Sequence, residues 1–258
     1  RCVAAPSALN LRDGSIPVDT TSVAFPQIMP FNGYGAAGDV RGEVVYVNYG
    51  LIEDYAQLDS MGVSVKGKIV IARYGRSFRG IKAREAEKHG AVGLLIYSDP
   101  ADDGYARGDV YPVGPMRPSQ GIQRGSVMNM DGDPSTPGYP STTNAKRIPL
   151  SQMEVPHIPV LPISYGNATE LLRGLKGSAI PQPWQGGLPF RYHVGTGPVQ
   201  ARIAVTTDAI PNPDKDIWDT VGQMPGSEFP DETELIGDNR NARGQGAGED
   251  RGGTGEGR

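Results

Sequence analysis

Apolar residues between positions 42 and 98 fall into short runs that alternate with amphipathic stretches. Residues 42–50 (GEVVYVNYG) alternate Val and Tyr with other side chains, which is typical of a strand. Residues 66–75 (KGKIVIARYG) and 91–98 (AVGLLIYS) hold runs that are apolar on both faces, as in strands covered on each side. The stretches 52–62 and 80–90 each end in a glycine and predict short helices between these strands.

The second of these helices carries a narrow apolar stripe of Ile81, Ala83 and Ala86. A strand, a helix and a strand joined by short connections imply a right-handed crossover between two parallel strands. The sequence therefore predicts an α/β fold class with a strong β component.

The remainder of the chain is less regular. Residues 99–157 are rich in Asp, Gly, Pro and Ser and predict a long irregular loop at a functional or interface surface. Residues 158–175 (IPVLPISYGNATELLRGL) predict a strand followed by a capped helix, and residues 190–195 and 199–208 predict two more strands.

The C-terminal part changes character again. Residues 216–224 and 232–237 are candidates for a further sheet. From Gly237 onward the chain is dense in glycine and nearly free of large apolar side chains, so by itself it cannot bury enough surface to offset its ordering entropy. We expect this tail to be flexible.

Composition excludes several classes of function. The 258 residues carry a formal net charge of -4, which provides no positive field for nucleic acid or an anionic membrane. The single cysteine, Cys2, excludes an internal disulfide and a cysteine-based zinc site. No apolar run approaches the roughly 20 residues of a spanning helix, so we expect a soluble chain without a membrane segment or a remaining targeting segment. The sequence Asn167-Ala-Thr169 is a potential N-glycosylation site, and the alternative interpretation of Asn167 is a helix N-cap.

Familiar hydrolytic machinery is not evident in the sequence. The three histidines, His89, His157 and His193, stand at unrelated points without the spacing of a helical metal-binding pair. There is no Gly-x-Ser-x-Gly elbow and no Cys/His pair. These residues alone predict no catalytic centre.

The turn between the second strand and the second helix concentrates positive charge. The sequence YGRSFRGIK places Arg76, Arg79 and Lys82 within seven residues. A guanidinium at a strand-to-helix turn offers a planar fork to a carboxylate, and the helix N-terminus also favours negative charge. The alternative is a surface cation whose stem packs on the helix.

Several motifs, taken in order, resemble one family. GKIVIARYGRSFRG, GAVGLLIYSDPADDG, IQRGSVMNMDGDPSTPGYPS and IPVLPISYGNATELL are similar to the protease-associated (apical) domain of zinc peptidases related to glutamate carboxypeptidase and the transferrin receptor. The resemblance covers roughly residues 30 to 236. It implies β-sandwich-like mixed sheets with flanking helices, placed as a lid over the zinc cleft of a separate peptidase domain.

The resemblance also divides the chain. It implies a segment 1–29 that belongs to the edge of the peptidase domain and a protease-associated domain at 30–207. Residues 208–258 would then be the start of a truncated peptidase domain with the glycine-rich tail.

Three substrate-binding positions follow from the resemblance. Arg79 matches the family arginine that holds the free carboxylate of a C-terminal acidic residue. Tyr111 matches a tyrosine that helps at the same carboxylate. Ser126 stands where the family has an asparagine, and this departure weakens the expectation of glutamate specificity.

The loop MDGDPSTPGYP is a candidate calcium site because Asp131, Asp133 and carbonyls bent by Pro and Gly are hard oxygen ligands. The resemblance maps part of a family calcium site onto Thr136 and Tyr139, with the remaining carboxylates supplied by the peptidase domain. A plain Asx/Pro turn is the alternative interpretation.

The zinc-ligand positions implied by the resemblance are degenerate. Asn239 and Asn241 stand where the family has a histidine and an aspartate, and Glu249 stands where it has the bridging carboxylate. A neutral amide is a poor zinc ligand. We therefore expect no cofactor for this chain alone, although zinc and calcium are the cofactors that the family implies.

Three functions follow as expectations. The leading one is a lid that gates substrate and contacts a peptidase domain or a peptide with an acidic C-terminus, without catalysis by itself. The second is part of an active dizinc exopeptidase that releases C-terminal acidic residues, and the third is a receptor-like binding module. The resemblance further implies an extracytoplasmic or secreted location and a possible homodimer formed through other domains.

Overall fold

The computed structural model describes residues 8–20, 22, 29–130, 132–206 and 226–230. The two strand candidates at 216–224 and 232–237, together with Cys2, Asp131 and the glycine-rich tail, lie outside the described residues. The boundaries expected at residues 29 and 207 stay predictions.

Seven strands and four α-helices form the described part of the chain. The strands are β1 Asn32–Gly33, β2 Gly38–Tyr46, β3 Ile69–Arg73, β4 Gly93–Tyr97, β5 Gly125–Ser126, β6 Val160–Ile163 and β7 Gly195–Val205. The helices are α1 Ile52–Ser60, α2 Arg79–Lys88, α3 Pro100–Asp103 and α4 Tyr165–Leu172, with 3₁₀ turns at Leu150–Gln152 and Gln182–Trp184.

Five strands form one mixed sheet in the order β6-β4-β3-β2-β7. Strands β6, β4, β3 and β2 are parallel, and β7 pairs antiparallel with β2. Strands β1 and β5 form a separate parallel pair of two residues each. The α/β class with mixed sheets is therefore confirmed, as is the parallel pairing of the strands on either side of α2.

The core sits on both faces of the central strands. Every residue of β3 and β4 is buried, as expected from their apolar runs. Strand β2 begins at Gly38 rather than at residue 42, and only its last three residues are fully buried. The exposed first half of β2 is the part that pairs with β7, at the margin of the core.

Helix α2 differs from its predicted apolar stripe. Ala83 and Ala86 are buried as expected, whereas Ile81 is only half-buried. The helix also buries two charged residues, Lys82 and Glu85. Its inner face is therefore partly polar, which the sequence pattern did not indicate.

Two further predictions need correction. Residues 190–195 contribute only an isolated bridge between Ala179 and His193 before β7 begins, so the strand predicted there does not form. The N-cap of α4 is Ser164, whose Oγ accepts the backbone N–H of Asn167. Asn167 itself lies within the helix, where its Nδ2 donates to the Asn10 carbonyl.

The long loop is mostly irregular, as predicted, and it is tied to the sheet by one buried carboxylate. Asp99 follows β4 and accepts hydrogen bonds from the hydroxyls of Tyr97 (2.9 Å) and Tyr192 (2.7 Å). It also accepts the backbone N–H groups of Ala101 and Gly187. These four donors satisfy a fully buried charge and join β4 to residues 185–192.

We predict that Asp99→Ala lowers the free energy of unfolding by at least about 3 kcal/mol, because it leaves buried donors without an acceptor. Urea denaturation followed by tryptophan fluorescence measures this loss. Asp59→Ala, on the exposed face of α1, is the matched control and should change stability by less than about 0.5 kcal/mol. Equal effects of the two substitutions would contradict the role given to Asp99.

Candidate functional site

The carboxyl ends of the parallel strands meet at one edge of the sheet and carry a connected group of polar side chains. Tyr49, just after β2, donates its hydroxyl to Asp102 (2.7 Å). The buried Arg73, at the end of β3, donates to the same carboxylate (3.3 Å) and lies 4.1 Å from the Tyr49 ring centroid. The group thereby links the ends of β2 and β3 to α3.

Arg73 also reaches the start of helix α1. Its Nη2 donates to the Asn48 side-chain oxygen (2.7 Å), and the Asn48 amide donates to Asp54 (2.8 Å). Asp54 in turn accepts the backbone N–H of Leu51 at the helix N-terminus. Burial raises the pKa of Asp54, while the hydrogen bonds from Asn48 and Leu51 oppose that shift.

Lys82 lies beneath this edge. Its side chain is completely buried, and Nζ donates to the carbonyls of Tyr49 and Gly75, each at 2.7 Å. The ammonium also lies 5.5 Å from the Tyr49 ring centroid. Burial lowers the pKa of Lys82 from 10.5 to about 8.

The turn held by Lys82 has an uncommon backbone. Gly75 has a φ of 98° and Arg76 a φ of 61°, although only glycine adopts such values readily. The Arg76 side chain is exposed and lies over the Tyr49 ring at 5.2 Å. Helix α2 begins three residues later, at Arg79, without a side-chain cap.

Arg79 projects from the first position of α2 against the β1–β5 pair. A Cβ at Gly125 would lie 2.4 Å from the Arg79 Cζ, so the guanidinium occupies space that only a glycine leaves open. Its Cζ lies 5.7 Å from the ring centroids of both Tyr74 and Phe78. Within the described part of the chain, the buried Arg79 Nε has no hydrogen-bond partner.

The structure brings one predicted partner next to Arg79. Ser126 follows Gly125 in β5, so the guanidinium lies against its neighbour. Ser126 is half-buried, and its Oγ accepts the backbone N–H of Met128 (3.2 Å). A serine hydroxyl is both donor and acceptor, which leaves it capacity for a further contact.

Tyr111, the third predicted substrate-binding residue, has a different contact. Its hydroxyl interacts with Asp19, and desolvation together with that hydrogen bond raises the pKa of Tyr111. The described contacts therefore place Tyr111 beside the N-terminal segment.

The predicted calcium loop is closed by its own hydrogen bonds. Asp133 accepts from Ser135 and Ser141 and pairs with Arg147. Although desolvation opposes it, these donors hold the pKa of Asp133 well below its usual range. The backbone N–H of Ser135 also donates to the Asp133 carboxylate (2.8 Å), which forms an Asx turn.

The two calcium positions carried over from the family are engaged within the same loop. The Tyr139 hydroxyl donates to the Lys146 carbonyl. Thr136 is buried with its hydroxyl 3.5 Å from the Asp133 carbonyl. Among the described residues, no group of three or more His, Cys, Asp or Glu side chains is arranged to hold a metal ion.

The degenerate zinc positions Asn239, Asn241 and Glu249 lie outside the described residues. Within the described helices, none is long and apolar enough to cross a membrane.

Sequence reasoning missed the burial of Lys82, which it grouped with Arg76 and Arg79 as cations of one turn. A signal was present, since Lys82 stands four residues before Ala86 and so shares the inner face of α2. The connected polar group of Tyr49, Arg73 and Asp102 could not be found from helical spacing, because its members come from three separate elements.

Comparison with known proteins identifies the domain. Residues 34–130 match the PA domain family model. The chain is 39% identical over 219 residues to the glutamate carboxypeptidase 2 homolog of Caenorhabditis briggsae, which covers 81% of this chain and 28% of that protein. It is 38% identical over 183 residues to aminopeptidase NAALADL1 of Mus musculus, which covers 69% of this chain and 25% of that protein.

A third relative is not named as a peptidase. The chain is 38% identical over 218 residues to transferrin receptor protein 2 of Homo sapiens, which covers 83% of this chain and 26% of that protein. The chain thus spans about a quarter of the length of these curated relatives.

The lowered pKa of Lys82 predicts a specific dependence of stability on pH. Between about 8 and 10.5 the unfolded chain binds a proton at this position that the folded chain has lost, so this residue makes stability rise with pH in that window. Urea denaturation at pH 7.5 to pH 10 on a ~0.5-unit grid should show a more positive slope for the natural chain than for Lys82→Met. Lys88→Met, on the exposed end of α2, should keep the natural slope, and identical slopes for all three chains would contradict the assignment.

Proposed function

The chain carries the protease-associated domain of the glutamate carboxypeptidase and transferrin receptor family, and from that premise we propose that it acts as a lid that gates substrate and binds the carboxylate end of acidic peptides. In this proposal it has no catalytic activity by itself. Its partners are a peptidase domain and a peptide or protein with an acidic C-terminus.

The observation that carries the proposal is the placement of Arg79. The guanidinium is half-buried at the first position of a ten-residue helix, where the backbone N–H groups and the helix dipole favour an anion. The Tyr74 and Phe78 rings and Gly125 fix its orientation. A preorganised planar fork of this kind suits bidentate binding of a carboxylate.

Ser126 is the proposed second contact of the bound acidic residue. It adjoins Gly125, against which the guanidinium lies, and its hydroxyl can donate to a carboxylate oxygen. Because a hydroxyl reaches less far than an amide, the proposal includes weaker selection for glutamate than an asparagine would give. Tyr111 is proposed to contribute only if its bond to Asp19 is exchanged for one to the ligand.

A second candidate is an active dizinc exopeptidase that releases C-terminal acidic residues. The observation that favours it is the similarity to a glutamate carboxypeptidase homolog and an aminopeptidase. In this candidate, the zinc-binding residues that carry out catalysis belong to regions of the relatives that this chain does not match. Calcium would be a structural ion bound in part by Thr136 and Tyr139. An extracytoplasmic location and a homodimer formed through other domains belong to the same proposal.

The third candidate is a receptor-like binding module without catalysis, which the similarity to transferrin receptor protein 2 favours. It shares the fold with the lid but takes a folded protein as its partner. Capture of a purified folded partner in preference to short acidic peptides would support this candidate over the lid.

We predict that Arg79→Ala weakens binding of a short peptide with a C-terminal glutamate by about 1.5 to 3 kcal/mol, because it removes a charge-assisted hydrogen bond, and leaves stability nearly unchanged. Isothermal titration of the 258-residue chain measures this loss. Arg84→Ala, an exposed arginine on the same helix, is the matched control and should bind as the natural chain does. An unaltered affinity in Arg79→Ala would remove the role proposed for this residue.

Elemental analysis tests whether the chain is catalytically silent by itself. We predict that the purified 258-residue chain, dialysed against zinc and then against metal-free buffer, retains less than stoichiometric zinc, because two of the three implied ligand positions carry amides. Two zinc ions per chain, or turnover of a glutamate-terminated peptide, would favour the enzyme.

A further inference from the structure

We propose that Lys82 is a positioning residue for the carboxylate site: its buried ammonium fixes the turn Gly75–Phe78, so that Arg79 meets the ligand in one orientation. This inference rests on the proposed function of Arg79. Lys82 itself does not touch the ligand, because it is completely buried.

The Lys82 side chain holds the two ends of the turn together. The residue stands one helical turn after Arg79 on α2, and its Nζ donates to the carbonyl of Gly75, where the turn begins. The second carbonyl that it binds belongs to Tyr49, at the end of β2. One ammonium therefore connects the start of the turn, the first turn of α2 and the sheet edge.

The turn needs such a constraint because its backbone is strained. Arg76 has a β-carbon and a φ of 61°, a region that side-chain-bearing residues enter at a cost and leave unless their surroundings prevent it. The Arg76 side chain is exposed and contacts the Tyr49 ring on one side. The bond from Lys82 to the preceding carbonyl constrains the backbone of the turn directly.

A charge in this place is otherwise hard to explain. An apolar side chain of the same length would fill the space without the desolvation cost of an ammonium, and buried charges are a poor source of stability. The carbonyl oxygens of Gly75 and Tyr49 each lie 2.7 Å from Nζ. Only a donor with several N–H groups can bond both carbonyls at once, and the ammonium of Lys82 provides such a donor.

The test compares two side chains of equal shape at position 82. The natural Cys2 is first replaced in Cys2→Ser, and Lys82→Cys in that background is alkylated while unfolded and then refolded. Aminoethylation restores an ammonium at the natural length, whereas propylation gives a neutral side chain of the same length. Each product is titrated with the glutamate-terminated peptide, and its ¹⁵N resonances at Gly75, Arg76 and Arg79 are compared with those of Cys2→Ser.

We expect only the side chain that carries an ammonium to restore peptide binding. The aminoethylated chain should bind within about twofold of Cys2→Ser, and the propylated chain should bind about tenfold more weakly or worse, because a binding group held loosely loses affinity. The resonances of the turn and of Arg79 should move only in the propylated chain. Equal affinities and unshifted resonances in the propylated chain would overturn the proposal.

Two further outcomes are informative. If Cys2→Ser itself does not bind the peptide, the proposed function fails, and the resonances of the ligand-free chains still decide whether Lys82 fixes the turn. If the propylated chain does not refold, Gly75→Ala perturbs the same exposed turn at the residue whose carbonyl accepts from the Lys82 ammonium. That variant should bind about tenfold more weakly with Arg79 intact, and natural affinity in it would overturn the proposal.

Discussion

The structure depends on the burial of the parallel strands β3 and β4 on both faces. Because no side chain of these strands reaches water, polar groups at the centre of the domain can gather only where the strands end. The carboxyl edge of the sheet consequently carries Arg73, Asp99 and the turn that leads to Arg79. Parallel sheets commonly place their binding sites at this edge, and the candidate site follows the same constraint.

Buried charges at this edge determine how the loops are placed. Asp99 and Lys82 are each surrounded by hydrogen-bond partners from other elements, and so is the Asp13–Arg124 pair, with Arg124 Nη2 2.7 Å from the carboxylate. That pair joins the N-terminal segment to the loop that precedes β5. These interactions contribute less to stability than apolar burial does, but they specify which loop conformation satisfies every charge.

The sequence predicted the elements whose pattern is local. Strands β3 and β4 form where the apolar runs predicted them, and helix α1 ends just before its predicted terminal glycine. A strand and a helix also form within residues 158–175, as expected. The cap of α4 was misplaced because Ser164 and Asn167 both satisfy the preference for an N-cap, and only the backbone shows which one has extended φ and ψ.

The contacts of the site were less accessible to sequence reasoning. Ser126 was predicted only through the family resemblance, and its proximity to Arg79 depends on the β1–β5 pair, whose two-residue strands lie far apart in the chain. The burial of Lys82 was missed because a lysine is rarely placed fully inside. The pairing of β1 with β5 is long-range and no period in the sequence reports it, whereas the helical spacing of Lys82 from Ala86 did place the lysine on the inner face of α2.

We propose that Arg79, held at the N-terminus of α2, binds the free carboxylate of an acidic peptide end. The most direct measurement is a crystal structure of the 258-residue chain grown with a saturating glutamate-terminated peptide. We expect the terminal carboxylate within hydrogen-bonding distance of the Arg79 guanidinium, with Gly75 and Arg76 in the same turn conformation. A peptide bound with its carboxylate elsewhere, or an Arg79 side chain that contacts only protein in the complex, would contradict it.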